Sequence, residues 1–411
     1  MGRVFVIAGV RFPRGGAAAN YLQYLGQALQ CAGYETYLLC DLNPEYLQPD
    51  APLLQWNGLT VCPVRPAASR LARYWQARCG FAGQRAASLR QFGIGKQDTV
   101  VVLGEEKNLL LQLLRLRRQY GFKIIGGQLE MFAMEDFPPK RRRWRYLCYR
   151  DVLENVYPRF DAIMGISTFI ARHYAAKGAK SYCVPILADC AAVPLPHKAM
   201  DKARFIIPAN GKMKDDLRGM VRGFLALPDP VLQTVELHLC GVTQQDLQRI
   251  LSPAEAARLR GMMTVHDWMV YDELDALYRR MHFLLLSRGV CQMTQANFPS
   301  KVPETMNYGI VPIASDVGDY TKYYLRDGEN SLFIPGDGEE ACARAIRRAL
   351  ALFPHGFPEL SRAARRCVEQ KFDYHVWAPT LRAMIEQTAG RGAQRNEGGR
   401  RDAGKHHHGR V

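Results

Sequence analysis

The 411-residue chain carries 55 Lys and Arg against 39 Asp and Glu, a formal net charge of +16, and 48% of its residues are hydrophobic. That length exceeds one ordinary core, so two domains are expected, and no run of about 18 apolar residues is present to span a membrane. A basic surface attracts polyanions (nucleic acid, anionic lipid or phosphorylated substrates) without choosing among them.

The start, MGRVFVIAGVRFPRGG, is unlike a secretory signal, because its apolar run is short, begins almost at once and leads into a Gly turn. The 11 Cys are odd in number and scattered, with no C-x-x-C pair. Reduced thiols in a cytoplasmic protein are therefore expected, with no disulfide framework or zinc site.

In chain order, Arg3–Val10 reads as a strand. Leu22, Leu25 and Leu29 then recur at helical spacing, and Gly33 closes that helix. YETYLLC, TVVVLG (Thr99–Gly104), KIIGGQ (Lys123–Gln128), DAIMGIS (Asp161–Ser167) and SYCVPI (Ser181–Ile186) continue the strands, with helical segments between them. The Pro-rich, non-periodic Ala188–Lys202 reads as a linker. The alternation restarts with RFIIPAN, VELHLCG, MTVHDW, HFLLLS, IVPIASD and SLFIPG. Apolar strands alternating with helices predict parallel sheets covered on both faces. The expected division is 1–190 and 201–370 as two doubly wound Rossmann-like domains, 371–388 as a helix crossing back, and 389–411 as a disordered Gly-, Arg- and His-rich tail. Ligands of such domains bind at the carboxyl ends of strands, so the cleft between the halves is the expected site.

The segment NFPSKVPETMNYGIVPIASD (Asn297–Asp316), with Phe298, Pro299, Ser300, Lys301, Glu304, Met306, Gly309, Pro312, Ile313 and Ala314, resembles the donor-binding segment of family 4 retaining glycosyltransferases. The resemblance continues through DVGDYTKYYLRDGENSLFIPGDGEEACARAI. It implies an α/β protein of the GT-B fold, with two Rossmann-like domains facing across a cleft. It also implies transfer of a sugar from a nucleotide-diphosphate sugar to a glycan or lipid-linked glycan, with retention at the anomeric carbon, in surface polysaccharide biosynthesis. Lys301 at a helix N-terminus suits phosphate, because a cation there adds to the positive dipole end and to unpaired N–H groups. Glu304, about one turn on, would take the ribose hydroxyls.

Other donor-binding candidates follow from the same resemblance. Gly15 and Gly16 in FPRGGAAAN permit close backbone approach. In the family a basic pair clamps the diphosphate after a strand; Lys212 and Lys214 are both candidates, and the spacing does not choose between them. Gly241 and Asn297 complete the expected lining, and Trp268 with Met269 is placed to border the base. Glu130, in GGQLEMF, and Lys301 are the catalytic candidates, with Glu105 and Glu106 next.

Two departures qualify the resemblance. Where many members carry the first glutamate of an E-x7-E pair, this chain has Ala296. No clear catalytic His stands in the first half, and no D-x-D motif suggests a required metal, so no cofactor is expected beyond the nucleotide sugar itself. Lys140, Arg141, Arg142, Arg143 and Arg145 surround Trp144, a composition suited to peripheral contact with an anionic membrane from the cytoplasmic side. Ala296 keeps open a non-enzymatic GT-B paralogue that binds nucleotide sugar or glycan. The net charge raises a nucleic-acid-binding protein, but the chain lacks the motifs expected of that class, and no nucleic acid is expected as a partner.

Overall fold

The computed structural model describes residues 2–43, 46, 53–64, 69–79, 82–209 and 214–398. Its first sheet is built from β1 (Arg3–Phe12), β2 (Glu35–Leu42), β3 (Leu54–Trp56), β4 (Leu59–Val64), β5 (Thr99–Leu103), β6 (Lys123–Gln128), β7 (Ala162–Gly165) and β8 (Ser181–Cys183). Their spatial order is β3-β4-β2-β1-β5-β6-β7-β8, all parallel except β3, which pairs antiparallel with β4. The second sheet holds β9 (Ala203–Pro208), β10 (Val235–Cys240), β11 (Met263–His266), β12 (Phe283–Leu286), β13 (Val311–Ser315) and β14 (Leu332–Ile334). Its order, β11-β10-β9-β12-β13-β14, is parallel throughout and doubly wound.

The strand composition explains the layering. Every residue of TVVVL in β5, FLLL in β12 and VPIAS in β13 is buried, as strands covered on both faces require. One apolar core serves the second sheet, with Phe205 stacked on Phe283 at 5.0 Å between ring centres. The other fills the first half and runs across the join between halves, taking in Phe298, Tyr320 and Phe372.

Two strands, β3 and β4, leave no clear trace in the sequence. The strand β4 carries a Pro, and β3 is a three-residue edge strand, so neither shows a clear period. The segment read as a linker has no regular structure but is firmly held. Arg365 donates to the carbonyls of Cys190 and Val193, Asn307 donates to that of Asp189, and buried Lys198 donates to those of Tyr278 and Met281. A long helix, Tyr374–Gly398, packs on the helix Ala17–Cys31, with Tyr374 stacked on Tyr24. It carries regular structure ten residues past the 388 at which the sequence suggested disorder begins; the remainder of that tail lies outside the described residues.

Candidate functional site

The carboxyl ends of both sheets face a cavity of about 470 Å³. Its lining includes Ala17 and Ala18 on one side and Lys214, Asp215, Gly241, Arg288 and Asn297 to Lys301 on the other. The helix Ala17–Cys31 begins here. Its first turn holds no acidic residue, and no side chain caps it. Gly16, at φ 84°, accepts from the amides of Ala19 and Asn20, which leaves the first helical amides open to the cavity. Gly15 is needed for a different reason, since a Cβ there would fall 1.8 Å from the carbonyl oxygen of Arg11. The loop can therefore lie flat against β1 only without a side chain at that position.

Opposite this helix stands a buried charge cluster. Asp215 Oδ2 accepts from Lys301 Nζ at 2.7 Å, and Oδ1 accepts from Arg288 Nε at 2.7 Å. Arg288 also donates to Asn297 Oδ1 at 3.1 Å, and its amide donates to Ser315 Oγ. Burial pushes the Asp215 carboxyl up, but Lys301 and Arg288 outweigh it and hold it below the ordinary carboxylate range. Two cations against one carboxylate leave a net positive wall facing the cavity. Sequence reasoning missed Asp215 and Arg288. The available signal was Arg288 just beyond the apolar strand HFLLLS, where an α/β sheet presents its ligand contacts.

Lys301 does open a helix, but only the six-residue Lys301–Met306, so the positive charge here comes from its ammonium and the Arg288 guanidinium rather than from a long helix. Glu304 faces an adjoining cavity of about 50 Å³, lined also by Tyr24, Tyr271, Asp275 and Tyr308. Its carboxylate has no hydrogen-bond partner among the described residues. Burial pushes it up to about 7 against the opposing pull of Lys301.

The remaining candidates divide. Gly241, at φ 75°, lines the main cavity, with the carbonyl of Ala209 3.1 Å from where its Cβ would stand. Phe298 contributes backbone to the wall, while its ring is buried against Tyr320, Tyr324 and Phe372. The side chain of Asn297 serves Arg288. Lys214 reaches the cavity and is ion-paired to Glu130 across the cleft. Lys212 lies outside the described residues. The expected base contact at Trp268 departs from the structure: its side chain is 83% exposed and takes no part in the cavity, because the turn after β11 points it into solvent. Met269 packs, half-buried, on the apolar core.

Beyond Glu130 a second cavity of about 380 Å³ shares Ala18, Leu129 and Glu130 with the first. Glu105 and Glu106 line it. Burial raises both carboxyls to about 7, opposed at Glu105 by the amide of Gln128 and at Glu106 by Arg85. Buried Arg85 also donates to Asp41 at 2.9 Å.

The Ala296 position is fixed by the other half of the molecule, its carbonyl accepting from Ser167 Oγ. Nearby, Asp319 accepts from both the amide and the hydroxyl of Thr168.

Residues 198–351 match the family model described as Glycosyl transferases group 1. No curated protein matches the sequence significantly. Solved structures match along nearly the whole chain. The sucrose-phosphate synthase of Thermosynechococcus elongatus is 17% identical with a TM-score of 0.71, over 94% of this chain and 99% of that one. HepE of Anabaena, solved in complex with UDP-glucose, is 10% identical with a TM-score of 0.66, over 95% and 99% of the two chains. An α,α-trehalose-phosphate synthase (UDP-forming) from Burkholderia vietnamiensis is 14% identical with a TM-score of 0.65, over 95% and 100%. The chain has the GT-B fold, and residues 198–351 carry the sequence pattern of the group 1 glycosyl transferases.

Proposed function

We propose that the protein transfers a sugar from a nucleotide-diphosphate donor to a hydroxyl of a glycan or lipid-linked glycan, with retention of anomeric configuration. The observation that carries this reading is the open N-terminus at Gly16 facing Lys301 and Lys214 across one cavity, with unpartnered Glu304 a helical turn beyond Lys301. A diphosphate fits between the amides and the cations, and ribose hydroxyls fit Glu304. The complex of HepE with UDP-glucose puts that donor first among those to be tried.

Retention by double displacement needs a carboxylate on the face opposite the leaving group. Ala296 offers none, and its carbonyl is engaged by Ser167. The reaction therefore runs on one face. The glycosidic C–O bond to the diphosphate breaks, the acceptor oxygen bonds to the anomeric carbon, and the departing diphosphate oxygen takes the acceptor proton. Lys301 and Lys214 stabilise charge developing on that oxygen, where electrostatic help acts on the transition state. Glu130 moves from Lys214 to the acceptor when the diphosphate replaces it as the partner of Lys214. The second cavity, with Glu105 and Glu106, receives the acceptor. Lysines and helix amides neutralise the diphosphate, so activity is expected to survive chelation.

The physiological role follows the family resemblance: surface polysaccharide assembly at the cytoplasmic face of a membrane, with Lys140–Arg145 and exposed Trp144 in contact with anionic lipid. Thermal unfolding with nucleoside diphosphates and their sugars tests the reading. A bound donor raises stability as RT ln(1 + [L]/Kd), so one nucleotide should stand out. No shift with any nucleotide would refute it.

A further inference from the structure

The two cavities carry opposite charge. Lys214, Arg288 and Lys301 line the first against Asp215 and Glu130. Among the described residues, the second has Glu105, Glu106 and Glu130 against Arg85 alone. The helix that begins at Lys107 adds about half a positive charge at its start, against two carboxylates in the two residues before it. The second cavity is therefore an anionic space, and much of its remaining wall is apolar, with Val10, Leu109, Leu129 and Phe132.

Arg85 is not available to an incoming anion. It is buried and donates to Asp41 at 2.9 Å, to Glu106 Oε2 at 3.3 Å and to the carbonyl of Ala8 at 3.4 Å. Lys214 is paired to Glu130. What the wall lacks is donors. Among the described residues, Glu105 accepts only from the side-chain amide of Gln128, at 2.9 Å, and Glu106 Oε1 is buried without a hydrogen-bond partner. Gln128, 0% exposed, commits its amide nitrogen to Glu105 and to the carbonyl of Glu130, and its own side-chain oxygen has no partner among the described residues. Burial raises the carboxyls of Glu105 and Glu106 to about 7 because the positive charge within the wall does not offset it.

We infer that the sugar or cyclitol unit entering this cavity carries a free, protonated amine seated between Glu105 and Glu106, and that a phosphorylated or carboxylated unit is excluded. An ammonium brings three donors and a positive charge, the two things this wall is short of, whereas a hydroxyl brings one donor and no charge. An anion would meet three carboxylates with the one cation already held. The carbon face of the ring packs on Leu129 and Phe132. The inference rests on the reading of the second cavity as the acceptor's and names the class of acceptor. Glu105 and Glu106 determine which unit enters, while the reacting hydroxyl lies by Glu130, where the two cavities meet.

The test is NMR titration of the full chain at neutral pH with the methyl glycosides of glucosamine and galactosamine, their N-acetylated forms, the parent methyl hexosides and glucose 6-phosphate. Nucleoside diphosphates are titrated in parallel. One amino glycoside should bind about tenfold more tightly than its parent, which differs only in a hydroxyl for the amine, and glucose 6-phosphate should not compete with it. Glu105→Gln removes a charge without breaking an ion pair, so the variant should unfold at or above the wild-type temperature while its preference for the amine disappears. Should it not fold, the wild-type series decides alone. Parity between amine and parent, tighter binding of the phosphate, no binding of any sugar, or a preference that Glu105→Gln leaves intact overturns the inference. If a nucleoside diphosphate still binds, the reading of the first cavity stands without it; if none binds, that reading fails as well.

Discussion

Asp215 lies between Lys301 and Arg288, each carboxylate oxygen accepting one hydrogen bond at 2.7 Å. This places a single buried acid behind the two cations that face the cavity, fixing their positions while leaving positive charge in excess. Asp215→Ala would leave two buried cations uncompensated, and breaking a buried pair in this way costs about 3–5 kcal/mol. Urea unfolding should show that loss; one below about 1 kcal/mol would mean the cluster behaves as an exposed pair.

Lys301→Ala should weaken a nucleoside diphosphate by about 1.5–3 kcal/mol, the worth of a charged hydrogen bond. Glu304→Ala should weaken the same nucleotide yet spare inorganic pyrophosphate, because the partner proposed for it is the ribose. Calorimetric titration of both variants with both ligands separates the roles, and unchanged nucleotide affinity in the two would remove this assignment.

Glu304 gives the site a pH dependence. Its folded value, about 7, lies above the ordinary 4.5, so the folded state holds the proton more tightly. Its contribution to stability is complete below that ordinary value and is lost as pH rises through 7. The proposed ribose contact needs the ionised carboxylate, so nucleotide affinity should rise through the same window. Glu304→Gln should flatten that rise; a persistent rise would assign the titration elsewhere.

Asp319 joins the halves by accepting from the amide of Thr168 at 2.5 Å and from its hydroxyl at 2.8 Å. Asp319→Ala removes both partners of half-buried Thr168 at the start of its helix and should cost about 1 kcal/mol. Small-angle scattering should then show a wider spread of cleft openings than in wild type; an unchanged profile and melting temperature would deny the contact this role.

What the sequence disclosed depended on how local the signal was. Apolar runs such as TVVVL and FLLL are buried on both faces and announced the parallel sheets. Lys301 was legible because its neighbours form one contiguous segment. Arg288 and Asp215 lie 73 residues apart and meet only when β9 and β12 pair. The ion pair of Glu130 with Lys214 spans 84 residues and both halves, so spacing could not reveal it. Trp268 shows the opposite failure: its place after a strand suggests a wall of the site, but the local geometry that faces it to solvent leaves no trace in spacing.

The central claim, sugar transfer from this cavity, is tested most directly by following nucleotide sugars and glycan acceptors in real time by proton NMR. The account predicts that one α-linked donor is consumed only when acceptor is present. An α-linked product should appear at a rate unaffected by EDTA and reduced in kcat as well as raised in KM by Lys301→Ala. An inverted product, a glycosyl group trapped covalently on the protein, or a bound donor that no acceptor consumes would contradict it.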